Sequence, residues 1–154
     1  MIEPTAGSPE KPVALVARHF DLSPGQLFAA WTDPDLVGSW MFGRNVRDEE
    51  IVALATDPRP GGTYSFKVRR GEKLLDHHGT YRDVAPPRLL VFSWAVTVDG
   101  HTDAPTRVTV EIAPEHHGSH LTLEHELDPA WAHFKAEAEA GWRGMLEALA
   151  RYVS

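Results

Sequence analysis

Through the middle of this chain apolar residues recur at every second position, and near its ends at every third or fourth. In "GGTYSFKV", Tyr64, Phe66 and Val68 alternate with Thr63, Ser65 and Lys67; "TRVTVEI" sets Val108, Val110 and Ile112 against Arg107, Thr109 and Glu111; "LTLEHEL" sets Leu121, Leu123 and Leu127 against Thr122, Glu124 and Glu126. A period of two predicts half-buried antiparallel strands. "VALVARHF", 13–20, is an apolar run of strand length, and 46–55, 73–84 and 88–98 supply three more strands of less regular alternation. Turn clusters such as "TDPRPGG", "APPR" and "APEHHGS" separate them.

The helical signals are sharper at their starts than at their ends. Ser23 stands as N-cap, Pro24 as first helical residue and Gln26 three positions after the cap, with Leu22 and Leu27 as staple, so a helix is predicted over Pro24–Trp31. Asp33-Pro34 repeats the punctuation and starts a second short helix through Met41. Asp128-Pro129 starts a third, which the stripe Trp131, Phe134, Ala138, Trp142, Met145, Leu149 and Tyr152 extends to the chain end. At ~1.5 Å per residue that helix would span roughly 36 Å, enough to cross a domain. Residues 1–12, with Pro4, Pro9 and Pro12 among small polar residues, are expected to form a loose tail, and 13–154 a single domain.

One apolar sheet face needs a cover. The predicted architecture is therefore α+β: a curved seven-stranded antiparallel sheet around a long C-terminal helix, with two short helices after the first strand closing the open end. With this order of elements, the fragments "AAWTDPDLVGSWM", "DPRPGGTYSF", "HHGTYRDVAPPRLLVFSW", "SHLTLEHEL" and "GWRGMLEALARYV" resemble the START-related helix-grip superfamily. Within it they resemble the family named after the activator of Hsp90 ATPase. The resemblance implies a cavity between sheet and long helix that takes apolar small molecules, and it carries no shared catalytic activity. The family name also brings in an Hsp90-type chaperone as partner and a role in stress response.

Composition narrows the partners. With 22 acidic residues against 15 Lys and Arg and a net charge of -7, the chain lacks the clustered positive charge a nucleic-acid partner requires. The absence of cysteine excludes thiolate chemistry and disulfides and suits the cytoplasm. The opening segment has acidic and proline residues where an export signal has a basic patch and an apolar run, and no apolar stretch reaches membrane-spanning length, so no membrane association is expected. Self-association into a homodimer is left open.

Candidate site residues come from the inward faces. Trp40, Tyr64, Phe66, Phe92, Trp94, Phe134, Trp142 and Met145 are expected to look inward, either lining a ligand cavity or simply filling a core. His125 shares the apolar parity of its strand and so needs a buried hydrogen-bond partner; His77 and Tyr81 share another face, although spacing does not decide between His77 and His78. Gly141 and Gly144 in the last helix ask for a reason such as close approach or room for a guest. Of the opening tryptophans, Trp31 is expected to seat the first short helix and Trp40 to form the entrance.

No catalytic residue, metal site or cofactor is assigned. His116, His117 and His120 read as a solvated turn, and His125 and His133 are spaced wrongly for a zinc-protease helix. The leading expectation is a non-catalytic protein binding an apolar or aromatic small molecule, with a co-chaperone or a cofactor-free cyclase or hydrolase as alternatives.

Overall fold

The structure, a computed structural model, describes residues 11–153. The tail expected over 1–12 lies, apart from Lys11 and Pro12, outside the described residues. Strand β1 (Val13–Phe20) leads into α1 (Pro24–Thr32) and α2 (Pro34–Trp40), followed by β2 (Glu50–Thr56), β3 (Thr63–Arg70), β4 (Lys73–Ala85), β5 (Leu89–Val98), the two-residue β6 (His101–Thr102), β7 (Thr106–Glu115) and β8 (Gly118–Glu126). A 3-10 turn over Pro129–Phe134 precedes α3 (Lys135–Tyr152). The sheet runs in the order β1-β8-β7-β5-β4-β3-β2, with β6 attached to β5. Every pairing is antiparallel. This is the α+β helix-grip architecture, its seven long strands joined by one short one.

The local chemistry explains each helix start. Ser23 Oγ accepts the Gln26 N–H at 3.2 Å while Gln26 Oε1 accepts the Ser23 N–H at 2.9 Å, a reciprocal capping box. Asp33 ends α1 and caps α2 by accepting the Asp35 N–H at 2.9 Å. Asp128 accepts the Ala130 N–H at 2.9 Å.

The ladder between β4 and β5 is irregular. Pairing runs from His78↔Ala95 to Tyr81↔Phe92 with the ladder open between them, and Ser93 fills the gap: its Oγ accepts the Thr80 N–H at 2.9 Å and its carbonyl the Tyr64 hydroxyl at 2.6 Å. Only glycine fits at 79, because a Cβ there would lie 1.9 Å from the Ser93 carbonyl oxygen.

Two boundaries differ from the sequence expectation. The final helix does not run from Asp128: Trp131 adopts φ -106°, ψ 17°, which keeps Pro129–Phe134 as a separate 3-10 turn, and α3 at 18 residues is roughly 27 Å long. The apolar stripe accordingly holds at Trp142 and Leu149, which are buried, whereas Trp131, Phe134 and Tyr152 at its two ends are exposed. The strand expected over 46–55 begins at Glu50, because the preceding turn, entered through Gly43 at φ +99°, wraps a buried carboxylate.

Candidate functional site

The Asp-Pro break between α1 and α2 sets up the site. Pro34 has no N–H to give the Ala30 carbonyl four residues back, so that buried acceptor would be orphaned. The Trp40 indole supplies the missing donor, Nε1 to Ala30 O at 2.8 Å, and pins α2 against α1. Trp40 is fully buried, so it is not at an entrance as the sequence suggested. Trp31 packs edge-on against it at 4.7 Å between centroids and projects into the space between sheet and α3. Trp40 thus seats the helix pair, and Trp31 lines the interior.

Trp31 meets aromatics from both the sheet and α3. Its ring lies 6.4 Å from Phe92 and 6.0 Å from Trp142; Tyr64 in turn touches Phe66 at 4.9 Å, Tyr81 at 5.5 Å and Phe92 at 5.6 Å. Trp31, Met41, Tyr64, Phe66, Tyr81, Leu90, Phe92 and Trp94 enclose a void of about 10 Å³. A cavity needs roughly 10–15 Å³ to hold one water, so the interior is closed to any larger guest in this conformation. The Nε1–H of Trp31, one of the rings that wall it, has no hydrogen-bond partner, alone among the buried side-chain polar atoms of the described residues. Leaving such a donor unsatisfied costs about 1–3 kcal/mol. Burial also pushes the Tyr64 and Tyr81 hydroxyls above their ordinary range, so both stay neutral donors.

The two inward histidines are neutral for the same reason. Burial pulls His125 down to about 4, and its two nitrogens are both engaged. Indole N–H groups only donate, so the bond from Trp142 Nε1 to His125 Nδ1 at 3.1 Å places the imidazole proton on Nε2. That nitrogen donates to Thr106 Oγ1 at 2.8 Å, and Thr106 donates onward to the Trp94 carbonyl at 3.2 Å. His77, rather than His78, faces inward, packed 4.6 Å from Phe42 and 5.5 Å from Trp94. Its Nδ1 lies 3.3 Å from the Phe66 carbonyl, and burial holds it at about 4.

Not every expected residue converges here. Tyr64, Phe66, Tyr81, Phe92 and Trp94 line the void, and His77, His125 and Trp142 buttress it. Phe134 sits on the exposed 3-10 turn, packed 5.0 Å from Trp131 instead of on the sheet, because the helix that would have carried it inward has not yet begun. Met145 faces a different groove with Gly141 and Gly144. A Cβ on either glycine would meet nothing within 4 Å, so close approach does not explain them.

Sequence reasoning missed Trp31, Met41, Leu90 and Phe42 as interior residues. The spacing of Leu27, Ala30 and Trp31 at i, i+3 and i+4 carried the signal for the first of them. It also missed Glu49, whose side chain is fully buried and receives the Gly43 N–H at 2.9 Å, Arg47 at 2.9 Å and Arg70 at 2.8 Å. Burial alone would raise this carboxyl, but the Gly43 bond and the two guanidinium groups outweigh it and hold the pKa below its ordinary value.

No helix among the described residues is long and apolar enough to cross a membrane. Solved structures share the fold: protein NE0264 of Nitrosomonas europaea is 18% identical with a TM-score of 0.76 over 91% of this chain and 92% of its own. Protein Mll3558 of Rhizobium loti is 24% identical with a TM-score of 0.74 over 90% and 94%. DynU16, a protein in the dynemicin biosynthetic locus, is 22% identical with a TM-score of 0.69 over 94% of this chain and 47% of its own. No curated protein matches the sequence. The family described as "Activator of Hsp90 ATPase homolog 1-like protein" matches residues 21–154, and the chain belongs to that family.

Proposed function

We propose that this protein binds an apolar, aromatic small molecule between the sheet and α3, held by Trp31, Tyr64, Phe66, Tyr81, Phe92 and Trp94. The observation that carries the reading is the Trp31 N–H: a buried donor with no acceptor within reach, on a ring that walls the aromatic void. A guest with a hydrogen-bond acceptor would satisfy it while burying apolar surface at ~25 cal/mol per Å². The ligand-sized cavity expected between sheet and α3 is not open in this structure: the void is about 10 Å³, so binding has to displace side chains.

Thermal-shift measurements across a library of aryl ketones, phenols and fused-ring aromatics, joined with mass spectrometry of the purified protein, test the proposal. Aromatic acceptors should raise the midpoint in a concentration-dependent way. A library in which none does so, on a protein that carries no co-purified molecule, would remove it.

The family description supports a second reading, a contact with an Hsp90-type chaperone. Pull-down against Hsp90 from the same cell and an ATPase assay separate the two, since a chaperone contact uses the outer surface and should survive substitution of Trp31. Catalysis by His125 has less support, because both its nitrogens are already bonded.

A further inference from the structure

From Asp128 through Glu137 every side chain is exposed, so the 3-10 turn and the first residues of α3 stand away from the sheet. Beneath them lies a groove of about 260 Å³. Trp94, Val96 and Thr106 line it from the sheet, Trp131 lines it from the turn, and Asp103 and Asp128 add two carboxylates. Trp94 is the one residue that lines both this groove and the inner void. It is also the one void-lining residue that is half-buried; the other seven are buried. Its indole packs 5.6 Å from Trp142, 5.5 Å from His77 and 6.4 Å from Tyr64.

We infer that Trp94 is the door between groove and interior, and that its displacement joins the two spaces into one elongated site for a flat aromatic molecule with a hydrogen-bond acceptor at its inner end and a neutral or cationic outer end. This inference rests on the interior-binding reading. The inner end meets the Trp31 N–H. The outer end lies on the face of Trp131 beside Asp103 and Asp128, where a carboxylate would be repelled and a basic nitrogen attracted. The groove walled by Met145, Gly141 and Gly144 shares no lining residue with the void, so it is not the route.

The probe that fits this description is 6-propionyl-2-(dimethylamino)naphthalene, whose ketone and amine lie at opposite ends of a flat ring pair and whose emission shifts to the blue in apolar surroundings. Stopped-flow fluorescence with the full chain should show association limited by opening in the wild type, accelerated about tenfold or more in Trp94→Ala and to an intermediate degree in Trp94→Phe. Met145→Ala should leave the rate within about twofold, and the 6-propionyl-2-naphthoate anion should bind about tenfold more weakly than the amine. Binding with rates indifferent to both Trp94 variants, or accelerated by Met145→Ala, would overturn the door and leave interior binding standing. No blue-shifted emission with any variant would remove the interior reading itself, and the door with it.

Discussion

At the scale of single residues, the two tryptophans flanking the Asp-Pro break differ in one respect that can be measured. Both are buried, but the Trp40 N–H is bonded to a carbonyl that a proline has deprived of its helical donor, whereas the Trp31 N–H is bonded to nothing. Replacing either by phenylalanine leaves a similar gap, so the difference isolates the hydrogen bond. Chemical denaturation should show Trp40→Phe costing about 2 kcal/mol more than Trp31→Phe, because it strands the Ala30 carbonyl while the other change removes an unsatisfied donor. Equal costs would mean that the Trp31 donor has a partner in solution. Glu49 gives the opposite case: Glu49→Leu should lose about 1–3 kcal/mol, since it strips the Gly43 N–H of its acceptor and leaves the part-exposed Arg47 and Arg70 without their carboxylate. The parity of a strand made Tyr64, Phe66 and His125 legible in the sequence, and the helix period would have exposed Trp31. Nothing local announced Glu49, because its burial depends on Arg70, which arrives from β3.

At the scale of elements, the caps were the most legible features, since Ser23, Asp33 and Asp128 each act within three residues along the chain. Periodicity misjudged the last helix because Trp131 and Phe134 keep the right spacing but belong to a different turn. The same helix carries Gly141 and Gly144 with open space where a Cβ would stand. Alanine at each position should therefore stabilise α3 by about 1 kcal/mol, read as a raised thermal midpoint. If the glycines serve to let α3 yield when the interior opens, the same variants should slow binding of the naphthyl ketone without weakening the folded state. A destabilising Gly144→Ala would show that the helix face is covered by something the exposed groove does not reveal.

For the whole molecule, three inward-facing ionisable groups set the response to acid. His77 and His125 each titrate near 6.5 when unfolded and at about 4 when folded, so between those values the unfolded chain binds more protons and stability falls as the pH falls. The penalty reaches roughly 3 kcal/mol per histidine once the pH is near 4. Glu49, with its folded pKa lowered, contributes stability above its unfolded value that is lost as the pH drops further. His19 works in the other direction: its bonds to Glu115 and Asp21 raise it, so its contribution is present below 6.5 and fades as the pH rises through the folded value, muted by exposure. Denaturation midpoints followed from pH 7 to 4 should fall steadily, and His125→Leu should flatten the slope. Protonation also sets a second N–H against the Trp142 indole, so the loss of stability should be accompanied by a change in tryptophan near-ultraviolet circular dichroism.

These scales meet in one claim: the closed aromatic interior holds a donor that a guest is meant to satisfy. The chain has 5 tryptophans, so an ¹⁵N-labelled sample gives a small, assignable set of indole N–H resonances, with Trp31 identified by its loss in Trp31→Phe. On titration with the naphthyl ketone, the Trp31 resonance should move downfield as its proton acquires an acceptor, while that of Trp40, already bonded to Ala30, stays nearly fixed. A saturable interaction that leaves Trp31 unmoved, or shifts only the exposed Trp131, would place the guest outside the interior and contradict the account.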